Sequence, residues 1–323
     1  MIVGVTDHYH APFHQEARAL GDSVEFIDFN SADENNFDEA LLSKLDALLV
    51  FHARITEKTL SKLDNCKIIV RYGVGVDNID LEAVKRRGIP LCNTPDYGIE
   101  EIAASSVAHI LNLWRRISAY DQASRDPDTQ WTESLLKPIG RLSEGTLGIV
   151  GTGRMGSQVI QYMKPFGCRI LGFDKSPSDG TGYEKTSSLK ELLGQCDAVS
   201  PHCTLSDETA GMVDAEFLAA MKPGALLVNT ARGGLFKNLD VLEEALRSGQ
   251  LGGLGTDVMT SEPPQDHSLI RAWRNFEPWL KGRMVITPHV AYYSDQSIDD
   301  MRFKPAETIA AYLNNNGLRN HIA

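Results

Sequence analysis

Short apolar runs and segments of helical period alternate along most of the chain. Near its start, apolar runs rich in β-branched residues stand at 2–5, 24–29, 47–51 and 67–73 (IVGV, VEFIDF, ALLVF and KIIVRYG). Runs of this length and composition are typical of buried strands, and the segments between them have helical spacing. The alternation predicts βαβ units around a parallel sheet rather than a helical bundle or a β-sandwich.

A long helix separates this series from a second one. Residues 99–116 have acids at the start, arginines at the end and small residues between them, as a helix dipole favours. Six more apolar runs follow, namely TLGIVG, RILGFD, DAVSPH, ALLVNT, GLGTDV and MVITPH. We therefore predict an α/β fold of two Rossmann-like, doubly wound parallel-sheet domains with a cleft between them. The amphipathic helix at 295–315 is expected to cross back, so that 1–98 and 291–323 form one domain and 99–290 form the other.

Composition agrees with a folded protein and limits its partners. The 323 residues are 42% hydrophobic and 23% charged, which suits two ordinary domains with their own cores. The net charge is −11, and no long run of basic residues offsets it. Bulk electrostatics therefore disfavours nucleic acid and anionic membranes as partners. An anionic small molecule would need a few placed arginines and backbone amides.

Cysteine usage and the N-terminal segment indicate a reducing compartment. The five cysteines include no C-x-x-C pair, which argues against a disulfide framework and against a thiolate zinc site. The first residues lack the basic and apolar regions of a signal peptide, and no run approaches 18 apolar residues. We expect a cytoplasmic protein without a bound metal.

The segment GTGRMG at 151–156 follows an apolar strand and precedes a helical pattern. In that context Gly151 permits a tight turn, Gly153 lets the backbone approach a pyrophosphate, and Gly156 lets the helix meet the strand. The next strand ends in Asp174, whose carboxylate would bind an adenine ribose and repel a 2′-phosphate. The sequence predicts a dinucleotide site that favours NAD over NADP.

Three later strands each lead to a polar side chain. ALLVNT leads to Arg232, GLGTDV leads to Glu262, and MVIT leads to His289. The carboxyl ends of parallel strands meet at one edge of an open α/β sheet, where ligands bind. Each residue alone has a structural explanation: a packing histidine, an arginine that binds carbonyls, a glutamate in a solvated turn. Their coincidence at strand ends favours a catalytic group.

These motifs, together with RYGVGVDNID at 71–80, resemble those of the D-isomer-specific 2-hydroxyacid dehydrogenases, and the likeness spans nearly the whole chain. The segments FHARITEKTL, HILNLWRR and TPHVAYYSDQSIDDMR are most similar to the C-terminal-binding-protein branch of that superfamily. The resemblance implies a flavodoxin-like substrate domain and an NAD-binding Rossmann domain that begins with a linker and dimerisation helix.

The same resemblance implies an NAD-dependent oxidoreductase that acts chiefly as a 2-oxoacid reductase. Hydride would move between nicotinamide C4 and substrate C2, with His289 as the general acid and base. Glu262 would hydrogen-bond the imidazole, fix its tautomer and favour its protonated form. Arg232 would orient the oxo group and the carboxylate of the substrate.

Further ligands are implied for the cofactor and the substrate. Asp257 should bind the nicotinamide carboxamide, and a cap or turn acid is the alternative. The loop at 71–77 would offer a nest of N–H groups to the substrate carboxylate, and a βα turn with a surface arginine is the alternative. The implied cofactor ligands are Gly151, Gly153, Arg154, Met155, Gly156, Asp174, His202, Cys203, Thr230, Ala231 and Asp257. The implied substrate ligands are Arg71, Val74, Gly75 and Tyr292.

The chain departs from the corepressor branch near the expected substrate pocket. Tyr292-Tyr293 follows the T-P-H motif where that branch has tryptophan, and a Trp-rich insert stands at 271–281. These departures affect the expected substrate and not the expected reaction. Two alternative functions stay open: an NAD(H)-sensing scaffold that binds partner peptides, and a phosphite or formate dehydrogenase on the same fold. Formate dehydrogenases carry glutamine at the position of Glu262, which counts against formate. The family also implies a homodimer that pairs around the helix at 99–116.

Overall fold

The computed structural model describes residues 1–133, 140–176 and 181–323, and the chain divides into two compact units. The first unit is Met1–Gly98 together with Tyr293–Ala323, and the second is Ile99–Tyr292. The strands are β1 (Ile2–Val5), β2 (Glu25–Asp28), β3 (Ala47–Val50), β4 (Ile68–Arg71), β5 (Leu91–Cys92), β6 (Thr146–Val150), β7 (Arg169–Phe173), β8 (Glu184–Lys185), β9 (Ala198–Pro201), β10 (Ala225–Asn229), β11 (Leu251–Thr256) and β12 (Met284–Ile286). The helices are α1 (His14–Leu20), α2 (Glu39–Leu42), α3 (Glu57–Leu60), α4 (Leu81–Arg87), α5 (Ile99–Arg115), α6 (Ile117–Ser124), α7 (Arg154–Met163), α8 (Leu189–Gln195), α9 (Ala215–Ala220), α10 (Leu239–Ser248), α11 (Ser268–Arg274) and α12 (Asp295–Leu313).

The first unit is built on a five-stranded parallel sheet. Its strand order is β2-β1-β3-β4-β5, the order of flavodoxin-like folds. Local signals set the ends of its helices: the Asp80 side chain accepts from the Ala83 N–H at the start of α4, and Gly88 ends that helix with a φ of 65°. β3 is buried along its whole length, and α12 packs against α1 and β4.

The second unit is built on a seven-stranded parallel sheet of order β12-β11-β10-β9-β6-β7-β8. The six strands β8-β7-β6-β9-β10-β11 reproduce the 3-2-1-4-5-6 order of dinucleotide-binding folds, and β12 extends the sheet at one edge. The order reverses between β6 and β9. The loops after these two strands therefore flank the crevice in which such sheets bind their ligands.

The α/β fold and the strands expected from the apolar runs are confirmed. The sequence pattern does not reveal β5 and β8, because two residues are too few to show a period. The helix expected at 99–116 is α5, and the chain turns at Arg116, with a φ of 53°, into α6. Among the described residues, no helix has both the length and the apolar character that crossing a bilayer requires.

Candidate active site

The loop between β6 and α7 has the shape of a phosphate cradle. Gly151 has a φ of 92°, and a Cβ on it would lie 2.8 Å from backbone atoms of His202 and Cys203. A Cβ on Gly156 would lie 2.0 Å from the carbonyl oxygen of Gly151, so glycine is required where α7 meets the loop. A Cβ on Gly153, in contrast, would have no heavy atom within 4 Å. The backbone at Gly153 therefore borders open space that a ligand can enter.

The first turn of α7 supplies donors to that space. Gly153 is the N-cap of this helix, and among the described residues no side chain caps it. The first N–H groups of α7 and the positive end of its dipole are thus available to an anion. Arg154 is exposed and Met155 is half-buried in the same turn. This arrangement fits the pyrophosphate of a dinucleotide.

Asp174 follows β7 and lies beside the same loop. Its Oδ2 accepts a hydrogen bond from the Thr152 N–H at 2.7 Å, and its Oδ1 accepts one from the Ser176 N–H at 3.0 Å. A carboxylate oxygen can accept more than one hydrogen bond, so these contacts orient the group and leave capacity for ribose hydroxyls. The negative charge would oppose a 2′-phosphate at this position.

His202 and Cys203 follow β9 and lie against Gly151. The His202 N–H donates to the Val150 carbonyl at 2.7 Å, and its Nε2 pairs with the Ser200 hydroxyl at 2.9 Å. Burial lowers the pKa of His202 to about 4, so the ring is neutral at physiological pH. Its Nδ1 is buried and has no hydrogen-bond partner among the described residues. A neutral ring with an unused nitrogen beside the glycine loop fits a bound dinucleotide.

The loop after β10 carries Arg232 and is held from two sides. The Asn229 side chain accepts from the Ala231 N–H at 3.0 Å and donates to the Arg232 carbonyl at 2.9 Å. The Thr230 hydroxyl shares a 2.6 Å hydrogen bond with the hydroxyl of Ser106 on α5. The Arg232 guanidinium is half-buried, and its Nη1 donates to the Ala231 carbonyl at 2.8 Å.

His289 and Glu262 form a hydrogen-bonded pair. Nδ1 of His289 lies 2.6 Å from Oε2 of Glu262, and Oε1 of Glu262 accepts from the Met259 N–H at 2.9 Å. The two side chains are 42% and 37% exposed, so a ligand can reach them. The Tyr292 ring lies edge-on to the imidazole, with 6.4 Å between the ring centroids. Because Nδ1 faces the carboxylate, Nε2 is the nitrogen left to exchange a proton with a ligand.

Electrostatics keeps Glu262 charged. Burial favours its neutral form, but the hydrogen bonds from His289 and Met259, with the charges of His289 and Arg232, outweigh burial and lower the pKa of Glu262. Glu262 is therefore ionised at neutral pH, and its charge can stabilise a protonated imidazole beside it.

Asp257 anchors the loop that carries His289. Its carboxylate is buried and accepts from the Val290 N–H at 3.0 Å, from the Thr287 hydroxyl at 2.5 Å and from the Ala291 N–H at 2.8 Å. These contacts match the turn-acid alternative considered from sequence, and a contact of Asp257 with nicotinamide stays a prediction. The loop bends at His289, which has a φ of 54°, a left-handed conformation that few non-glycine residues adopt.

In the first unit, Arg71, Val74 and Gly75 lie in the loop after β4. The Arg71 guanidinium lies 5.5 Å from the centroid of the Phe51 ring, and its Nη1 donates to the Tyr72 carbonyl at 2.5 Å. Val74 is exposed and Gly75 is half-buried. The substrate contacts of these three residues stay predictions.

Sequence reasoning missed side chains that hold the loops of Arg232 and His289. Thr287 stands within the T-P-H motif itself, and His109 lies on the buried side of α5. A histidine at a buried helical position was the available signal, because such a ring needs a polar partner. Within the described part of the chain, no group of three or more histidine, cysteine, aspartate or glutamate side chains could hold a metal ion.

Comparisons with known sequences place this geometry in a family. Residues 107–291 match the D-isomer specific 2-hydroxyacid dehydrogenase, NAD binding domain. C-terminal-binding protein 1 of Caenorhabditis elegans is 30% identical over 303 residues, which are 90% of this chain and 40% of that protein. D-3-phosphoglycerate dehydrogenase of Mycobacterium bovis is 32% identical over 299 residues, which are 91% of this chain and 54% of that protein. The chain spans about half the length of these two relatives.

A solved structure with a similar fold is that of D-lactate dehydrogenase from Aquifex aeolicus complexed with NAD and lactic acid. Its TM-score is 0.83 at 31% identity, and the match covers 97% of this chain and 96% of that one. The family match covers more than half of the chain and includes the glycine loop, Arg232, Glu262 and His289. The chain therefore belongs to the D-isomer-specific 2-hydroxyacid dehydrogenases, and its second unit contains the NAD-binding domain of that family.

Proposed function

We propose that this protein is an NAD-dependent oxidoreductase that acts on the CH–OH group of 2-hydroxy acids, chiefly as a 2-oxoacid reductase. The observation that carries the proposal is the 2.6 Å contact between His289 Nδ1 and the ionised Glu262. A histidine beside a carboxylate can be protonated near neutral pH and act as a general acid. The likeness to a D-lactate dehydrogenase that binds NAD and lactic acid supports the same chemistry.

His289, Glu262 and Arg232 have different roles in the proposed reduction. When bound, NADH supplies the hydride that reaches C2 of the substrate. His289 donates the proton on Nε2 to the carbonyl oxygen, so that a 2-oxo acid becomes a 2-hydroxy acid. Glu262 stabilises the imidazolium before the transfer and keeps Nδ1 turned away from the substrate. Arg232 offers a two-pronged guanidinium to the oxo group and the carboxylate, a geometry that lysine lacks.

The remaining predicted ligands belong to this proposal. The glycine loop and the first turn of α7 would hold the pyrophosphate, and Asp174 would hold the adenine ribose. The other proposed cofactor ligands are His202, Cys203, Thr230, Ala231 and Asp257. The proposed substrate ligands are Arg71, Val74, Gly75 and Tyr292.

A panel of 2-oxoacids tests the proposal. The purified protein is mixed with NADH and with glyoxylate, hydroxypyruvate, pyruvate, 2-oxobutyrate, or bulkier aromatic and thioether acids, and NADH absorbance is followed. We expect consumption of NADH with at least one acid and the D isomer of the hydroxy acid as product. Flat traces with every acid contradict the proposal.

Two other functions remain candidates on the same fold. The first is an NAD(H)-sensing scaffold that binds partner peptides, and the likeness to a protein named C-terminal-binding protein 1 supports the binding of partner proteins. NADH binding without turnover of any acid favours that function, whereas the pair of His289 and Glu262 beside Arg232 favours the enzyme. The second is a formate or phosphite dehydrogenase. Formation of NADH when formate or phosphite is supplied with NAD⁺ in the same assay would identify that activity.

We also propose a homodimer and a cytoplasmic location. Ile117, Trp131 and Phe276 of the second unit are 58%, 88% and 65% exposed, and a symmetric interface would remove such side chains from water. All five cysteines are free thiols, as a reducing compartment maintains them. Light scattering should give twice the 35.6 kDa of one chain, and a monomer mass at micromolar concentration contradicts the dimer.

A further inference from the structure

Helix α5 supports the loops of the second unit that carry Arg232 and His289. Three polar side chains on one side of this helix each bind a different loop residue. One of them, His109, packs against Gly255 of β11. A Cβ on Gly255 would lie 3.1 Å from Nδ1 of His109, so glycine at this position leaves room for the buried ring. The contacts join Ser105 to the Ala291 carbonyl at 3.1 Å, Ser106 to Thr230 at 2.6 Å, and His109 Nε2 to the Thr287 hydroxyl at 3.1 Å.

The contact of His109 starts a hydrogen-bond chain whose direction can be derived. Asp257 accepts from the N–H groups of Val290 and Ala291, and as a carboxylate it also accepts from the Thr287 hydroxyl. That hydroxyl has one proton, so its oxygen must accept from Nε2–H of His109. In the neutral ring that burial favours, the proton of His109 is therefore on Nε2. Burial lowers the pKa of His109 more than the charge of Asp257 raises it, and Nδ1 has no partner among the described residues, in agreement with this tautomer.

We propose that His109, acting through Thr287 and Asp257, is a positioning residue that holds His289 in its reactive orientation. The backbone completes the link: the His289 N–H donates to the Asp257 carbonyl at 2.8 Å and to the Thr287 carbonyl at 3.0 Å. The left-handed φ of His289 is costly, so surrounding contacts must impose it. Without them the loop would relax, and the imidazole would lose its alignment with Glu262. This inference rests on the proposed function, because it assigns His289 the role of acid.

Substitutions of Thr287 isolate the link. Thr287→Val removes the hydroxyl at nearly constant shape, and Thr287→Ser keeps it. In Thr287→Val, kcat for 2-oxoacid reduction should fall by about 10-fold or more, since a displacement of about 1 Å can cost about 100-fold in rate. Thr287→Ser should recover most of the rate, and NADH affinity should change little in either variant. The control is Thr308→Val, which makes the same change at a buried position of α12 and should lose stability without losing kcat.

Hydrogen exchange at the amides of Val290 and Ala291 provides a readout that does not need activity. We expect faster exchange in Thr287→Val than in Thr287→Ser. His109→Leu and His109→Gln test His109 itself, because glutamine retains an N–H donor and leucine does not. We expect faster exchange at the same amides in His109→Leu than in His109→Gln. If exchange at Val290 and Ala291 in Thr287→Val and His109→Leu is as slow as in the unmodified protein, the proposal is overturned, whether or not the rate of reduction falls. If the unmodified protein reduces no 2-oxoacid, the proposed function fails, and the exchange comparison still decides whether His109 holds the loop.

Discussion

At the scale of single residues, the charge states around the second sheet follow from what each side chain contacts. Burial makes His202 neutral, and the same effect dominates at His109. Glu262 stays charged because hydrogen bonds outweigh its burial. His289 is the histidine with a carboxylate oxygen 2.6 Å from its ring. The three histidines thus differ in their electrostatic surroundings, and within the described part of the chain only His289 among them lies beside a carboxylate at hydrogen-bond distance.

Replacement of His289 should separate binding from chemistry. His289→Asn removes the proton donor, so the rate of 2-oxoacid reduction should fall by about 100-fold or more, as general acid catalysis typically contributes about 10² to 10⁴. NADH affinity, measured by fluorescence titration, should stay near that of the unmodified protein, because the glycine loop is untouched. A His289→Asn enzyme with full activity would remove the proposed mechanism.

Replacement of Glu262 should change the pH profile. The lowered pKa of Glu262 keeps its charge present at and above neutral pH, where that charge stabilises the imidazolium. Glu262→Gln removes this charge, so the imidazolium form of His289 would no longer be stabilised by an anion beside it. The alkaline limb of kcat/KM for reduction should move to lower pH, with activity retained on the acid side. Glu244→Gln, an exposed glutamate of α10, is the control. An unshifted limb would mean that Glu262 does not act on His289.

The sequence predicts the site residues that follow strands better than those that support them. Arg232, Glu262 and His289 stand next to apolar runs, so their arrival at one edge of the sheet can be inferred from topology. The bonds from Asp257 to the His289 loop depend on backbone N–H groups, which no sequence motif reports. His109 and Thr287 are far apart in the chain, and their contact becomes visible only when α5 is packed against β11.

At the scale of elements, the β6–α7 connection contains glycines with different tasks. Gly156 is required by packing, because a Cβ there would meet the Gly151 carbonyl at 2.0 Å. Gly153 borders open space, so the packing of the fold does not require glycine there. The fingerprint indicates both positions, but only the structure shows which one the fold itself needs.

Alanine at Gly156 should lower stability, whereas alanine at Gly153 should weaken cofactor binding. Gly156→Ala should lower the free energy of unfolding by about 1 to 3 kcal/mol, the cost of overpacking. Gly153→Ala should change it by less than about 1 kcal/mol, since an N-cap alanine is only moderately unfavourable, yet it should weaken NADH binding because its methyl group occupies the ligand space. Thermal unfolding without cofactor and fluorescence titration measure the two effects. Wild-type NADH affinity in Gly153→Ala would contradict a pyrophosphate at this loop.

The end of β7 should set the choice of cofactor. Asp174→Ala removes the ribose acceptor and the charge that opposes a 2′-phosphate, so NADH binding should weaken and the preference over NADPH should narrow. Asp174→Asn is the matched variant, because its oxygen can still accept from the Thr152 N–H that Asp174 now binds. It should narrow the preference with less damage to the loop. Equal preference in both variants and the unmodified protein would place the ribose contact elsewhere.

At the scale of the whole molecule, the two units differ in how the chain builds them. The second unit is one continuous stretch, Ile99–Tyr292, whereas the first combines Met1–Gly98 with Tyr293–Ala323. The parallel sheets of both units could be inferred from the alternation of apolar runs and helices, but the alternation does not fix the order of the strands. The sequence does not predict β5, because this strand has only two residues. Its backbone is hydrogen-bonded to residues near position 322, a contact that no local pattern reports.

The divided first unit imposes an order on folding during synthesis. When Met1–Gly98 leaves the ribosome, the carboxylate of Glu16 lacks Arg302 of α12, which binds it in the finished protein at 2.9 and 2.8 Å. A buried carboxylate without its cation is strongly destabilising, so this part must wait until α12 has been made. Ile99–Tyr292 is one continuous stretch that is complete before α12 has been made, so it can fold first. Expressed alone, Ile99–Tyr292 should show cooperative unfolding and bind NADH, and Met1–Gly98 should remain sensitive to protease until a peptide spanning 293–323 is added.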